Sequence, residues 1–300
     1  MLPEYPDILI SMVVATLGRS AELDPLLSSL VSQKRRDFEV IVVDQNPDDR
    51  LVPVLASVRD AFEIVHIRTS VPGVCRARNL GAMQARGEWL MFPDDDCWYP
   101  DDFLKRLDIL RQRKKADFYC GRAVNEAGLT IMGNFEPLPT LIGRTNVWTT
   151  LIEWMLLVRR SAFVRAGGFD EKIGPGAGTP WGAYEVQDLA LKLLGQGQTG
   201  YYDPSIVGHH PDDVEDKTTP GHIAKMRAYS AGLGYVMRKH GYRFREYLPR
   251  LLRPMAGIVV YGFTGRPGMA RRSGNILLGR WFGWRSSQPL PEPAAEGEVS

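Results

Sequence analysis

GVCRARNLGAMQARGEWLMFPDDD, residues 73–96, changes its period halfway along. Val74 to Gln84 reads as a helix, Gly87 interrupts it, and Trp89 to Phe92 forms a short apolar run that reads as a buried strand stopping at Pro93. Three consecutive aspartates, Asp94, Asp95 and Asp96, follow at once. Adjacent carboxylates repel one another, so holding them together in a folded chain is unfavourable unless a cation is present. Hard oxygen ligands past a strand end suit Mg²⁺ or Mn²⁺, which take one or two protein carboxylates and complete their shell with substrate phosphates. A solvated acidic turn is the plain alternative, and the position after a buried strand argues for the metal.

Working outward, Ile8 to Val14 (ILISMVV) is a continuous apolar, β-branched run that predicts a buried strand. Glu22 to Gln33 follows with helical spacing, Leu23, Leu26, Leu27, Leu30 and Val31 sharing one face. Phe38 to Val43 predicts a second strand ending in Asp44, Leu51 to Ala61 a short helix, and Glu63 to Ile67 a third strand. Strands alternating with helices in this way imply an α/β fold, a doubly wound and mainly parallel sheet. Ligands of such sheets bind outside the carboxyl ends of the strands. Thr16, Asp44 and Asp94 to Asp96 should therefore meet on one edge. Beyond this half the texture changes. Phe118 to Val124 and Trp154 to Val158 are strand-like, Val186 to Leu194 is a helix beginning beside acids, and Ile223 to Leu252 is helical, rich in aromatic and basic residues. Gln288 to Ser300, rich in Pro, Glu and Ala, reads as a disordered tail.

The 300 residues, 44% apolar and 24% charged, are ordinary for a globular protein with a sizeable core. The net charge of +2 hides an asymmetry: between Arg238 and Arg285 eleven Lys and Arg face one acid, Glu246, so that stretch carries about +10 and the remainder about −8. Arginines interleaved with Tyr, Leu, Trp and Phe suit a peripheral membrane surface. Nucleic acid competes as a partner, but no nucleic-acid-binding motif accompanies the patch, so none is expected. Cys75, Cys97 and Cys120 are odd in number and widely spaced, neither a zinc knuckle nor a disulfide framework, which suits a reducing compartment. The N-terminus MLPEYPD lacks a basic n-region and a long apolar h-region, and no apolar run approaches the roughly 18–20 residues that span a bilayer. The expected location is cytoplasmic, with peripheral contact at the inner face of the membrane.

Residues 73–96 resemble the central segment of family 2 glycosyltransferases, which have the GT-A fold. There a helix carrying an Arg/Asn pair leads through a Gly into a strand ending in the metal-binding Asp motif. Further segments match in order: a strand ending near Thr16, VVD ending at Asp44, GGFDE at Gly167 to Glu171, and GPGAGTPWGAYEVQDLALKLLGQG on the acceptor side. The resemblance covers roughly residues 8 to 215 and implies an inverting enzyme that uses Mg²⁺ or Mn²⁺ to move a sugar from a nucleotide diphosphate donor to a hydroxyl acceptor, a glycan or lipid-linked glycan. It divides the chain into a GT-A domain over 1–220, with a nucleotide-binding half to 115 and a mixed acceptor half from 116, a helical basic extension over 221–287 and the tail 288–300. By the same resemblance Thr16, Arg19, Asp44, Arg76, Asn79, Asp94 and Asp95 would contact the donor nucleotide, and Asp96, with Asp94, the metal. Arg76 and Asn79 stand at i and i+3 on one helical face, which agrees with a shared ligand.

An acceptor hydroxyl needs a base, and Glu185 and Asp188 at a helix start are the candidates. Relatives often carry adjacent acids here; the second of them is Val186 in this chain, which leaves Glu185 first and Asp188 as the alternative. GPGAGTPW reads as a mobile loop that closes over the donor, with Trp181 stacking on a sugar face or packed in the core. His209 and His210, after YYDPSIVG, are metal-ligand candidates between which the sequence does not choose. A nucleotidyltransferase trails, since the ATLGRS loop is too short for its phosphate loop, and a degenerate binding subunit without a base is the non-enzymatic reading.

Overall fold

The computed structural model describes residues 8–212 and 215–286, so the expected tail at 288–300 lies outside the described residues. The chain divides into two compact units, one running to Gly178 and resuming at Glu185, the other comprising Thr179–Tyr184 and the residues from Glu215 onward.

The first unit alternates strand and helix as its pattern predicts. β1 (Ile10–Thr16) leads to α1 (Asp24–Val31), β2 (Phe38–Asp44), α2 (Val52–Ala56), β3 (Glu63–Arg68), α3 (Val74–Gln84), β4 (Trp89–Met91) and α4 (Phe103–Arg113). The helix expected over 51–61 is shorter than its pattern, because the chain turns after Ala56, where Ser57 Oγ donates to the Val54 carbonyl and Ala61 N to that of Val58. β5 (Phe118–Val124), β6 (Thr140–Ile142), β7 (Leu157–Arg159), α5 (Arg160–Arg165), α6 (Glu185–Gly195) and β8 (Gly200–His209) complete the unit. The strand expected at 154–158 is a correction. Glu153–Met155 is a 3-10 turn, since Met155 N bonds Ile152 O and Leu156 N bonds Glu153 O, and only then does β7 begin.

Among the described residues the strands form one sheet in the order β3-β2-β1-β4-β7-β5-β8-β6. The first four pair in parallel, β7 runs antiparallel to both β4 and β5, β8 is parallel to β5, and β6 is antiparallel to β8. β1 and β2 are continuous apolar runs because both faces are covered. α3 approaches them closely at Gly81, where a Cβ would overlap Val13.

The second unit is helical: α7 (Pro220–Lys239), α8 (Phe244–Phe263) and α9 (Pro267–Ser286). α7 and α9 pack backbone to backbone, Gly279 against the Arg227 carbonyl and Gly283 against that of Ala231. Between Tyr247 of α8 and Trp284 of α9 the rings stack at 4.4 Å, and the Tyr247 hydroxyl donates to Arg280 O at 2.7 Å. No helix among the described residues is long and apolar enough to cross a membrane.

Candidate active site

Parallel pairing brings the ends of β1 and β2 into register, Thr16 opposite Asp44. Asp44 is buried and held on both oxygens: Oδ1 accepts from Asn46 N and Nδ2, each at 2.8 Å, and Oδ2 lies 3.0 Å from His66 Nε2. Asn46 Oδ1 in turn accepts Gly18 N, and Gln45 Oε1 accepts Gly73 N at the start of α3. This corner is therefore preorganised, its carboxylate fixed by neighbours rather than free to swing.

Past β4 the three aspartates diverge. Asp94 accepts from Arg78 at 2.7 Å, Asp95 and Asp96 share the Arg19 guanidinium, and Asp96 lies 3.1 Å from His210 Nε2. One donor atom each from Asp94, Asp96 and His210 lies within 4.8 Å of the others. Strand alternation separates the two histidines. His209 ends β8 with its ring stacked on Trp98 at 5.6 Å and its Nδ1 3.1 Å from Asn125 O, so it is a packing residue outside the cluster, which corrects its place among the metal ligands.

Arg78 is the residue the sequence reading passed over. Its side chain is 2% exposed and bridges Asp94 and Glu185, the latter at 3.4 Å. The signal was its place on the buried face of α3, among Cys75, Ala77, Gly81 and Ala82, where a charge needs partners. Arg76 and Asn79 both engage the segment that follows α5. Arg76 pairs with Glu171 at 3.0 Å, while the Asn79 amide clasps the backbone of Phe169, Nδ2 donating to O at 3.0 Å and Oδ1 accepting N at 2.9 Å. Both hold the GGFDE segment. Gly168 in that segment has φ +67°, and a Cβ there would lie 2.6 Å from Asn79 Oδ1.

Glu185 opens α6, buried beside Arg78, and Gly174 lies against it, where a Cβ would be 3.3 Å from its carboxylate. Val186 turns into the core and Asp188 is fully buried, with Lys192 at 3.8 Å. The glycine-rich loop is tied down on α3: Val74 N donates to Pro175 O at 3.0 Å, and Gly174, Gly176 and Gly178 all have positive φ. Trp181 belongs to the helical unit, where its ring stacks on Tyr235 at 4.5 Å and on Phe282 at 5.6 Å. Glu153, delivered by the 3-10 turn, is a carboxylate that the pattern did not reveal; its charge acts on Asp94 and Arg78.

The electrostatics of this cluster are those of an acid surplus. Burial pushes Asp94 up to about 7, with Arg78 opposing and the charges of Glu153, Asp96 and Asp95 adding. Burial likewise raises Glu185 and Glu153, again with Arg78 opposing. Burial also raises Asp95, against the pull of Arg19. For Asp96 the upward push of burial is outweighed by His210 and Arg19, which hold it below its ordinary value. For His210 burial pulls downward, but its bond to Asp96 leaves it above its ordinary value. Among the described residues Asp94, Asp95, Asp96, Glu153 and Glu185 thus face Arg19, Arg78 and His210, an imbalance that a divalent cation relieves. Two carboxylates and one imidazole fit such an ion, because donors to one small cation sit about 3 Å apart, the spacing already present between Asp96 and His210 at 3.1 Å.

Residues 11–132 match the family described as glycosyl transferase family 2. A protein of Haemophilus influenzae described as an uncharacterized glycosyltransferase is 30% identical over 193 residues, 62% of each chain, so the match leaves more than a third of that relative uncovered. The mannosyltransferase PcManGT from Pyrobaculum calidifontis, solved with GDP-Man and Mn²⁺, superposes with a TM-score of 0.65 at 16% identity, over 94% of this chain and 89% of that one. Staphylococcus aureus TarS 1–349, solved with UDP-GlcNAc, gives 0.57 at 14%, over 97% and 95%. At those identities the superpositions speak to the fold, a GT-A sheet with an antiparallel strand inserted beside the acidic motif. With that fold, the stretch from within β1 past β5 is the part of the chain that matches glycosyl transferase family 2.

Proposed function

We propose that this protein transfers a sugar from a nucleotide diphosphate donor to a hydroxyl acceptor, with inversion, in a single displacement. The observation that carries the reading is the cluster of Asp94, Asp96 and His210 at the carboxyl end of a parallel sheet, backed by Arg78 and Glu185. Asp96 and His210, with Asp94, would hold Mg²⁺ or Mn²⁺. Such an ion neutralises charge that builds on a departing diphosphate. Thr16 and Asp44 line the strand ends where the nucleotide base would lie, and Asp44 is presented as a fixed acceptor by Asn46 and His66. Arg19, shared by Asp95 and Asp96, offers a cation to the donor phosphates.

Glu185 is the base we assign to the acceptor hydroxyl. Burial raises its proton affinity, which makes it a stronger base toward an alcohol proton, and Arg78 keeps it oriented. Glu153 is the nearest substitute, and Asp188 is occupied by Lys192 within α6. As the acceptor we infer a glycan or lipid-linked glycan in cell-surface polysaccharide or glycolipid assembly on the cytoplasmic side. TarS, named a poly(ribitol-phosphate) β-N-acetylglucosaminyltransferase and 29% identical over 99 residues, lends support to that class.

A thermal-shift screen against UDP-, GDP- and dTDP-sugars, with and without Mn²⁺, tests the reading. A ligand at about a hundredfold its dissociation constant stabilises by about 2.7 kcal/mol. The expected result is a Mn²⁺-dependent shift with one nucleotide class that Asp96→Asn abolishes. No shift with any donor would overturn the donor site, and a shift without turnover would leave a binding subunit.

A further inference from the structure

We propose that the solvent face of α8 docks on an anionic lipid bilayer. Phe244, Leu248, Leu252, Met255, Val259 and Phe263 recur at intervals of three and four residues, which places them on one stripe of the helix. All are exposed, Phe263 at the helix end by 89%. The stripe runs the whole 20 residues, about 30 Å at the rise of an α-helix. Residues 254–263 contain no charged side chain at all. The neighbouring face of α8 is already used, with Tyr247, Leu251 and Pro254 buried.

Charge decides which partner covers this stripe. Arg245 and Arg253 stand on the exposed side of α8, with Arg266 and Arg271 exposed just beyond it, and none of the four makes an ion pair among the described residues. The one acid of α8, Glu246, is turned back to accept the Arg243 N–H at 2.7 Å. A second copy packed through the same stripe would bring the same arginines and, from α8, only Glu246, which already accepts a bond within its own helix. Nucleic acid would leave six apolar side chains without partners. A bilayer containing anionic lipid satisfies both halves, since phosphates meet the arginines while the apolar face sinks roughly 5–10 Å into the headgroup boundary. Packing of α7 on α9 runs through Gly279 and Gly283 and does not use the stripe.

Co-sedimentation of the full chain with vesicles, without donor or acceptor, tests this independently of sugar transfer. Binding is expected to equimolar phosphatidylcholine/phosphatidylglycerol vesicles and to be far weaker to phosphatidylcholine alone. The triple variant Leu252→Ser, Val259→Ser, Phe263→Ser should bind at least tenfold more weakly. Arg245→Gln and Arg253→Gln should each lose about fivefold, and added salt should weaken the wild type. Failure of the full chain to bind anionic vesicles, or unchanged binding by the triple variant, would overturn the proposal. So would a dimer in sedimentation velocity that the triple variant dissociates while vesicle binding is absent. Should the triple variant unfold, a fluorophore on Leu252→Cys reports the same contact, because the three native cysteines are buried. A blue shift on anionic vesicles is expected, and no shift would overturn the proposal.

Discussion

Replacing Arg78 with Met keeps an unbranched stem and removes the guanidinium charge from between Asp94 and Glu185. The guanidinium is 2% exposed and the Glu185 carboxylate 5%, so two acids lose a cation that water replaces poorly. Removing one partner from a buried ion pair costs about 3–5 kcal/mol. The Asp94 side chain is 24% exposed, and water there takes part of the load, so the lower end applies, about 3 kcal/mol. For a domain of this size that corresponds to a fall in Tm of roughly 6–12 °C. Urea denaturation of Arg78→Met against wild type measures it as a lower midpoint at unchanged slope. The second half of the test is compensation. In Arg78→Met/Asp94→Asn/Glu185→Gln the two carboxylates that Arg78 bridges are neutral as well, so the triple variant should be more stable than the sum of its single changes by at least about 1 kcal/mol. A single variant within about 1 kcal/mol of wild type, or strict additivity in the triple, would refute the assignment of Arg78 as the counter-charge of the site.

Asp96→Asn and His210→Ala should each abolish Mn²⁺-dependent stabilisation by the donor, whereas His209→Ala should retain it; isothermal titration with MnCl₂ and nucleotide diphosphate reads the difference. Glu185 acts as a base only when deprotonated, and burial has raised its proton affinity despite Arg78. The transfer rate should therefore fall with decreasing pH through a limb above the ordinary glutamate value of about 4.3. Glu185→Gln should slow transfer by on the order of 10²–10⁴, while retention of activity within tenfold would move the role to Glu153. Gly168→Ala meets both a positive φ and the Asn79 side chain, so a loss of about 2–4 kcal/mol is expected in a thermal melt, and a loss under about 1 kcal/mol would contradict the clasp.

Much of the first unit is legible because its signals are local. α3 and β5 occupy the residues that their periodicity predicts, 74–84 and 118–124, since a buried stripe or a continuous apolar run is written in consecutive side chains. α4 carries the same kind of signal, with Phe103, Leu104, Leu107 and Leu110 on one buried face. β6 is three residues long with Leu141 exposed, and exists only because β8 is there to pair with it. α9 is glycine-rich and poor in intrinsic helix propensity; Gly279 and Gly283 are explained by the close approach to α7. α8 continues through Pro249 and Pro254, against the local rule that proline ends a helix.

The sequence by itself determined that strands and helices alternate, that an acidic run follows a buried strand, and that the charge is split between an acidic body and a basic end. Those are properties of neighbours in the chain. Tertiary structure decided which residues meet across long separations: Arg78 with Asp94 and with Glu185 107 positions away, Asp96 with His210, and Asn79 with Phe169. It also chose His210 over His209, because which side of β8 faces the aspartates depends on how that strand enters the sheet. The physical reason is the same in each case. A side chain's type and period are local, but its partner is set by the register and packing of elements remote in sequence, and the chemistry of this site lies in those partners.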